Sequence, residues 1–140
     1  MTPTLFGRIQ TRWFVLLVIG IPWTVFLMGF AALAGSSYGS LLLGGLMVLG
    51  VVGLLGTVWE FAYHGLQQLR WEKDWPALFG FLTIINEGLV LALVMVLLDR
   101  PLGPLGWFHF VTTWLWMWVW VNGPMRVVAP RWRYRGGRLF

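Results

Sequence analysis

The chain has 140 residues, of which 59% are apolar and 11% charged, with a formal net charge of +5 and no cysteine. Ordinary globular domains carry about 25% charged residues, and a chain this short leaves much of its surface in water, so a soluble domain is excluded. Disorder is excluded as well, because it requires low hydrophobicity and the mean hydropathy here is +0.76. The missing cysteines remove disulfides, thiolate metal sites and cysteine nucleophiles together. The expected class is an all-α integral membrane protein, a single domain over 1–140.

Four apolar stretches follow one another, at about 13–34, 40–63, 76–98 and 105–127. Each is near the roughly 20 residues that cross a ~30 Å hydrocarbon core. Helices are expected, since an open strand edge has no backbone partner in lipid. The first stretch follows Arg8 and Arg12 and ends in Ala32-Leu33-Ala34-Gly35, a sequence like a signal-peptide cleavage site. Its apolar run exceeds the usual 7–15 residues of a signal peptide, so it reads as a retained helix. Short Gly- and Pro-containing connections near Gly35–Gly39 and Asp99–Pro104 predict two antiparallel hairpins. The middle connection is longer and mixed in charge, with Arg70, Glu72, Lys73 and Asp74; Asp74 ahead of Pro76 fits a helix cap.

Nine of the ten positive charges fall on one side of a four-pass arrangement, with Arg100 alone on the other. Basic residues favour the cytoplasmic side, so four transmembrane helices with both termini cytoplasmic are expected. Arg supplies nine of those ten charges, which points to a bacterial inner membrane.

Projected at ~100° per residue, the polar and small residues gather into stripes. In the second stretch Gly45, Gly53, Gly56, Glu60 and His64 share one face. Small residues let membrane helices approach closely, so Gly45, Gly53 and Gly56 read as a helix-packing seam. The third stretch places Gly80, Thr83 and Glu87 together, with Glu87 near mid-span. An ionisable group there costs at least about 2.5–3.5 kcal/mol and normally faces the bundle interior or a water-filled path. Desolvation favours its neutral form, and Thr24, Thr83 and Thr113 are the expected partners of a buried polar, proton or ion site. Glu60 and His64 lie nearer the cytoplasmic side, where Arg12 and Arg126 are expected to join them in an interfacial cluster. His64 and His109 fall at opposite ends of the membrane, which argues against a metal or haem site.

The fourth stretch is dense in tryptophan: Trp107, Trp114 and Trp118 form one stripe, and Trp116 and Trp120 lie opposite with His109, Thr112 and Thr113. Trp13, Trp59, Trp71, Trp75 and Trp132 read as interfacial anchors. The tail alternates Arg131, Arg133, Arg135 and Arg138 with aromatics. Directly after a membrane helix that pattern suits anionic lipid headgroups, at roughly 1 kcal/mol per basic residue, rather than nucleic acid.

No phosphate loop, zinc-binding HExxH or triad of nucleophile, base and acid is present. An enzyme is therefore not expected, and no cofactor is predicted. The leading expectation is a small membrane subunit or scaffold of a larger assembly, packing through the glycine seam and the aromatic fourth helix. Its partners would be lipids and other membrane subunits or a second copy. The alternative is a small oligomeric channel or proton-coupled transporter built on Glu87. A weaker alternative is a membrane protein that binds a lipid, quinone or pigment.

Overall fold

The computed structural model describes residues 4–69 and 77–139. Helix α1 runs over Leu5–Ala32, α2 over Tyr38–Gln68, α3 over Ala77–Leu97 and α4 over Pro104–Asn122. Two short helices follow, α5 at Pro124–Val128 and α6 at Pro130–Tyr134. No strand occurs among the described residues. Three helices, α1, α2 and α3, are long and apolar enough to cross a membrane. Helix α4 has 19 residues, about 28 Å at 1.5 Å per residue, and is less apolar because it carries His109, two threonines and a run of tryptophans.

Helix α1 starts earlier than expected. Thr4 caps it, its Oγ1 accepting from the Gly7 N–H at 3.1 Å, so Arg8 and Arg12 lie inside the helix rather than in a terminal segment. Within α1 the turn Leu16–Gly20 is a π-helix. Pro22 explains part of it, because proline lacks the N–H that would bond back to the preceding turn. The wide turn also changes which residues share a face. Arg12 and Thr24 would lie about 120° apart on a regular helix, and absorbing one residue brings them to about 20°. Both then face the bundle interior.

The connection after α1 turns at Gly35, whose φ of 95° is the left-handed conformation that ends many helices. Asp99, at φ 55°, makes the corresponding turn after α3. Helix α2 extends five residues beyond the expected 63, to Gln68. The expected 105–127 helix is instead broken at Gly123, where Pro124 starts α5. Arg70, Trp71, Glu72, Lys73, Asp74, Trp75 and Pro76 lie outside the described residues.

The glycine seam closes α1 onto α2. A Cβ on Gly45 would sit 2.8 Å from Thr24 Cγ2, and one on Gly53 would sit 2.9 Å from the Trp13 ring. A Cβ on Gly56 would strike the Arg12 guanidinium. Contacts that descend along α1 as they climb along α2 make the pair antiparallel. On the other side Gly80 faces Trp118 and Gly88 faces Phe110 and Trp107, so α3 and α4 are also antiparallel. The core between them holds Leu16, Leu49, Leu91, Phe110 and Trp114.

The tail folds back onto the start of α1. Gly136 O accepts from the Thr4 N–H at 2.8 Å, and the Leu139 N–H donates to Gln10 Oε1 at 3.1 Å. Trp132 was expected at a membrane interface. It is instead buried against Val15 and Met125, donating from Nε1 to Thr11 Oγ1 at 2.7 Å. Thr11 in turn donates from Oγ1 to Gly137 O at 2.9 Å. Gly7 makes this docking possible, since any side chain there would collide with the Gly136 carbonyl.

Candidate functional site

Four charged side chains meet in the bundle interior. Arg12 grips Glu87 with two parallel bonds, Nη1 to Oε2 at 3.0 Å and Nη2 to Oε1 at 2.9 Å. The same guanidinium donates from Nε to Glu60 Oε1 at 2.9 Å. Arg8 adds a longer contact to Glu60 Oε2 at 3.4 Å and a bond to Gln67 Oε1 at 2.8 Å. Bidentate Arg–carboxylate pairs are both strong and geometrically specific. Glu87 is only 4% exposed, and Glu60 is buried as well.

This arrangement corrects the expectation for Glu87. It is not a solitary acid bonded to threonines but one end of an Arg-centred network. Thr24 bonds elsewhere, to Gly20 O and His109. Thr83 donates to Gly80 O at 2.8 Å on its own helix. Thr113 Oγ1 is buried with no hydrogen-bond partner among the described residues. The predicted Arg12–Glu60 contact is present, but the other members of the interfacial cluster stay apart from it. Arg126 bonds Asn122 Oδ1 at 2.8 Å, and His64 Nε2 lies 3.5 Å from Gln68 Nε2. Among the described residues, no group of histidine and carboxylate side chains is arranged to hold a metal.

The network lines a cavity of about 300 Å³ between the helices. Its lining extends along α2 from Val48 to Tyr63, about 22 Å at 1.5 Å per residue. Near one end stand Arg8, Glu60, Arg126 and the docked tail residues Trp132 and Gly137. Toward the other stand His109, Phe110, Thr113 and Trp114 from α4, opposite Val48 and Leu49. Burial divides the tryptophans of α4 differently from the sequence stripes. Trp114 and Trp118 line the cavity, Trp107 is 38% exposed, and Trp116 is 49% exposed beside Trp23 at a 5.9 Å ring separation. Trp13 is also turned inward, its Nε1 donating to Thr57 Oγ1 at 3.1 Å. Trp59 stacks on Tyr63.

Sequence reading missed two members of the site, Arg8 and His109. Arg8 lies four residues before Arg12 and so shares its helical face; that spacing was the available signal. His109 becomes a partner of Thr24 because the π-turn rotates Thr24 inward; Pro22 marks a disturbance of the helix there but does not specify a π-turn. In the tail, Arg131, Arg135 and Arg138 are exposed; the side chain of Arg133 lies outside those described.

No known protein family, curated protein or solved structure matches this chain.

Proposed function

We propose that this protein is a small proton-coupled carrier of a bacterial inner membrane, crossing it four times with both termini in the cytoplasm. The observation that carries the reading is the bidentate Arg12–Glu87 pair on the wall of an interior cavity. Taking ions from water into a low-dielectric interior costs several kcal/mol each, and apolar packing of the same volume often serves stability as well. A bundle that keeps four charged groups inside is therefore built to use them. The Thr4–Gly136 hydrogen bond puts both ends of the chain at one end of the bundle. That supports an even number of crossings, with α4 as the fourth. The exposed Arg131, Arg135 and Arg138 then suit anionic headgroups at the cytoplasmic face.

In this reading Glu87 is the proton acceptor. A proton on Glu87 cancels its charge and breaks the two-bond clamp, freeing at least one guanidinium N–H of Arg12, which remains tethered to Glu60 through Nε. The freed donor and the cavity wall take up a small solute. Loss of the proton re-forms the clamp and expels it. The test is proton flux into proteoliposomes under an imposed gradient. The wild type is expected to conduct and Glu87→Gln to fall at least about tenfold, a barrier increase of ~1.4 kcal/mol. A wild type that moves no protons, or a Glu87→Gln variant that moves them equally fast, overturns the reading.

A subunit role retains one support, the exposed aromatic side of α4 around Trp116. The glycine seam no longer supports it, because α1 of the same chain covers those glycines.

A further inference from the structure

The outward face of α3 carries a polar group that the fold leaves alone. Helix α3 turns Glu87 and Leu91 into the bundle, 4% and 0% exposed. On its opposite side run Leu82, Asn86, Leu89, Leu93 and Val96, all exposed. Steps of four, three, four and three residues keep these five within about 80° of one another around the helix. Asn86 is one residue from the centre of the 21-residue helix. In a ~30 Å hydrocarbon core it therefore lies about 15 Å from either headgroup layer, too far for so short a side chain to reach. No hydrogen bond among the described residues uses its amide. Lipid tails offer neither donor nor acceptor, so an amide held there needs a partner from protein.

The chemistry of that amide points to a second copy of the chain. It has one acceptor oxygen and an NH2 group that donates, so it is complementary to itself. Copies of one chain enter a membrane the same way round, so two α3 helices lie parallel. A twofold axis along the membrane normal then sets each residue against its own equivalent at the same depth. Asn86 meets Asn86, each NH2 donating to the other's Oδ1. The apolar members of the stripe fit the same geometry. A repeat averaging 3.5 residues is the pattern of a left-handed helix pair, with Asn86 and Leu93 in one seam position and Leu82, Leu89 and Val96 in the other. A single Asn in such a seam fixes register and oligomeric state, and hydrogen bonds between helices supply association that lipid does not. Helix α3 packs on α2 and α4 through its other side, so two stripes can meet without disturbing either bundle.

We propose that the protein dimerises through α3, with Asn86 hydrogen-bonded to Asn86 of the second copy and Leu82, Leu89, Leu93 and Val96 packed along the same seam. The inference needs only that α3 crosses a membrane. It is independent of the carrier reading, because the cavity is lined by Gly80, Thr83 and Glu87 on the other side of the helix. A dimer without flux and flux without a dimer are separate results.

The chain has no cysteine, so a single introduced one reports on the seam without background. The full chain is reconstituted at low density in lipid vesicles and treated with an added oxidant. Leu89→Cys is expected to form a disulfide-linked dimer at least about tenfold faster than Leu54→Cys on α2, because only a seam holds two Cβ atoms within disulfide reach. Leu89 and Leu54 are each 65% exposed, so random collision would treat them alike. The amide is tested by energy transfer between copies labelled at the N-terminus. Asn86→Leu should weaken the dimer at least about tenfold, and Asn86→Gln, which keeps the amide, should restore most of the loss. The Leu89→Cys measurement retains Asn86 and so stands even where an Asn86 variant fails to fold. Equal cross-linking of Leu89→Cys and Leu54→Cys overturns the proposal and leaves the stripe to lipid or to a different subunit. An Asn86→Leu dimer as tight as the wild type overturns it as well.

Discussion

Helix α2 packs in opposite ways on its two sides. Toward α1 it presents Gly45, Gly53 and Gly56, and the helices approach until a single methyl group would collide with Thr24, Trp13 or Arg12. Toward α3 and α4 it presents Val48, Leu49 and Val52 to Phe110 and Trp114, and a cavity remains. Lipid gives two helices no hydrophobic reason to associate, so close contact and hydrogen bonds must supply it. The closed side supplies the contact, and it also holds Arg12 so that its guanidinium emerges at the cavity. The open side provides the space in which that charge meets Glu87.

The sharpest way to break this contrast is to remove the group that joins the two sides. Arg12→Gln leaves Glu60 and Glu87 buried without their shared cation, and loss of one partner of a buried pair costs roughly 3–5 kcal/mol. Thermal unfolding in detergent should show a marked drop, larger than for Glu87→Gln, which leaves Arg12 bonded to Glu60. Equal losses would mean that Glu60 contributes nothing to holding Arg12.

Next in size is the seam itself. Gly56→Leu places a side chain against the Arg12 guanidinium, and overpacking of this kind costs typically ~1–3 kcal/mol. Gly50 lies on the same helix with nothing within 4 Å of a built Cβ. Gly50→Leu is therefore expected to be neutral, or to gain up to ~1 kcal/mol of helix propensity. Matching unfolding temperatures for the two variants would show that the glycines do not set the helix spacing.

Smaller effects belong to the tail. Gly7→Val should displace 136–137 and expose the tail to limited proteolysis, with the core helices still protected. Trp132→Phe keeps the ring but loses the bond to Thr11, worth about 1 kcal/mol net. An unchanged cleavage pattern in Gly7→Val would mean that the tail docks by other contacts.

Much of this molecule was legible from its residues. The third helix was expected to end at 98 and ends at Leu97, because a predominantly apolar run that meets Asp99 leaves little freedom at that end. The glycine seam was legible because Gly45, Gly53 and Gly56 recur at helical spacing. Their partner was not, since a periodic face does not say whether it meets another chain or the preceding helix. Glu87 was singled out by its depth, but its hydrogen-bonding partner was misjudged as a threonine rather than Arg12. Arg12 was expected beside Glu60 nearer the cytoplasmic side, and its long side chain reaches on from there to Glu87.

The sequence by itself determined that the chain is helical with stretches apolar enough to cross a membrane, which helix faces are small or polar, and that an acid lies near the middle of α3. Those properties follow from composition and period, which act locally along the chain. Only the tertiary structure decided that Arg12 also reaches Glu87, that Thr24 turns to His109, and that the tail closes over the start of α1. Each depends on the phase of a helix relative to its neighbours, and a single π-turn shifts that phase by about 100° without altering the pattern that predicts a helix.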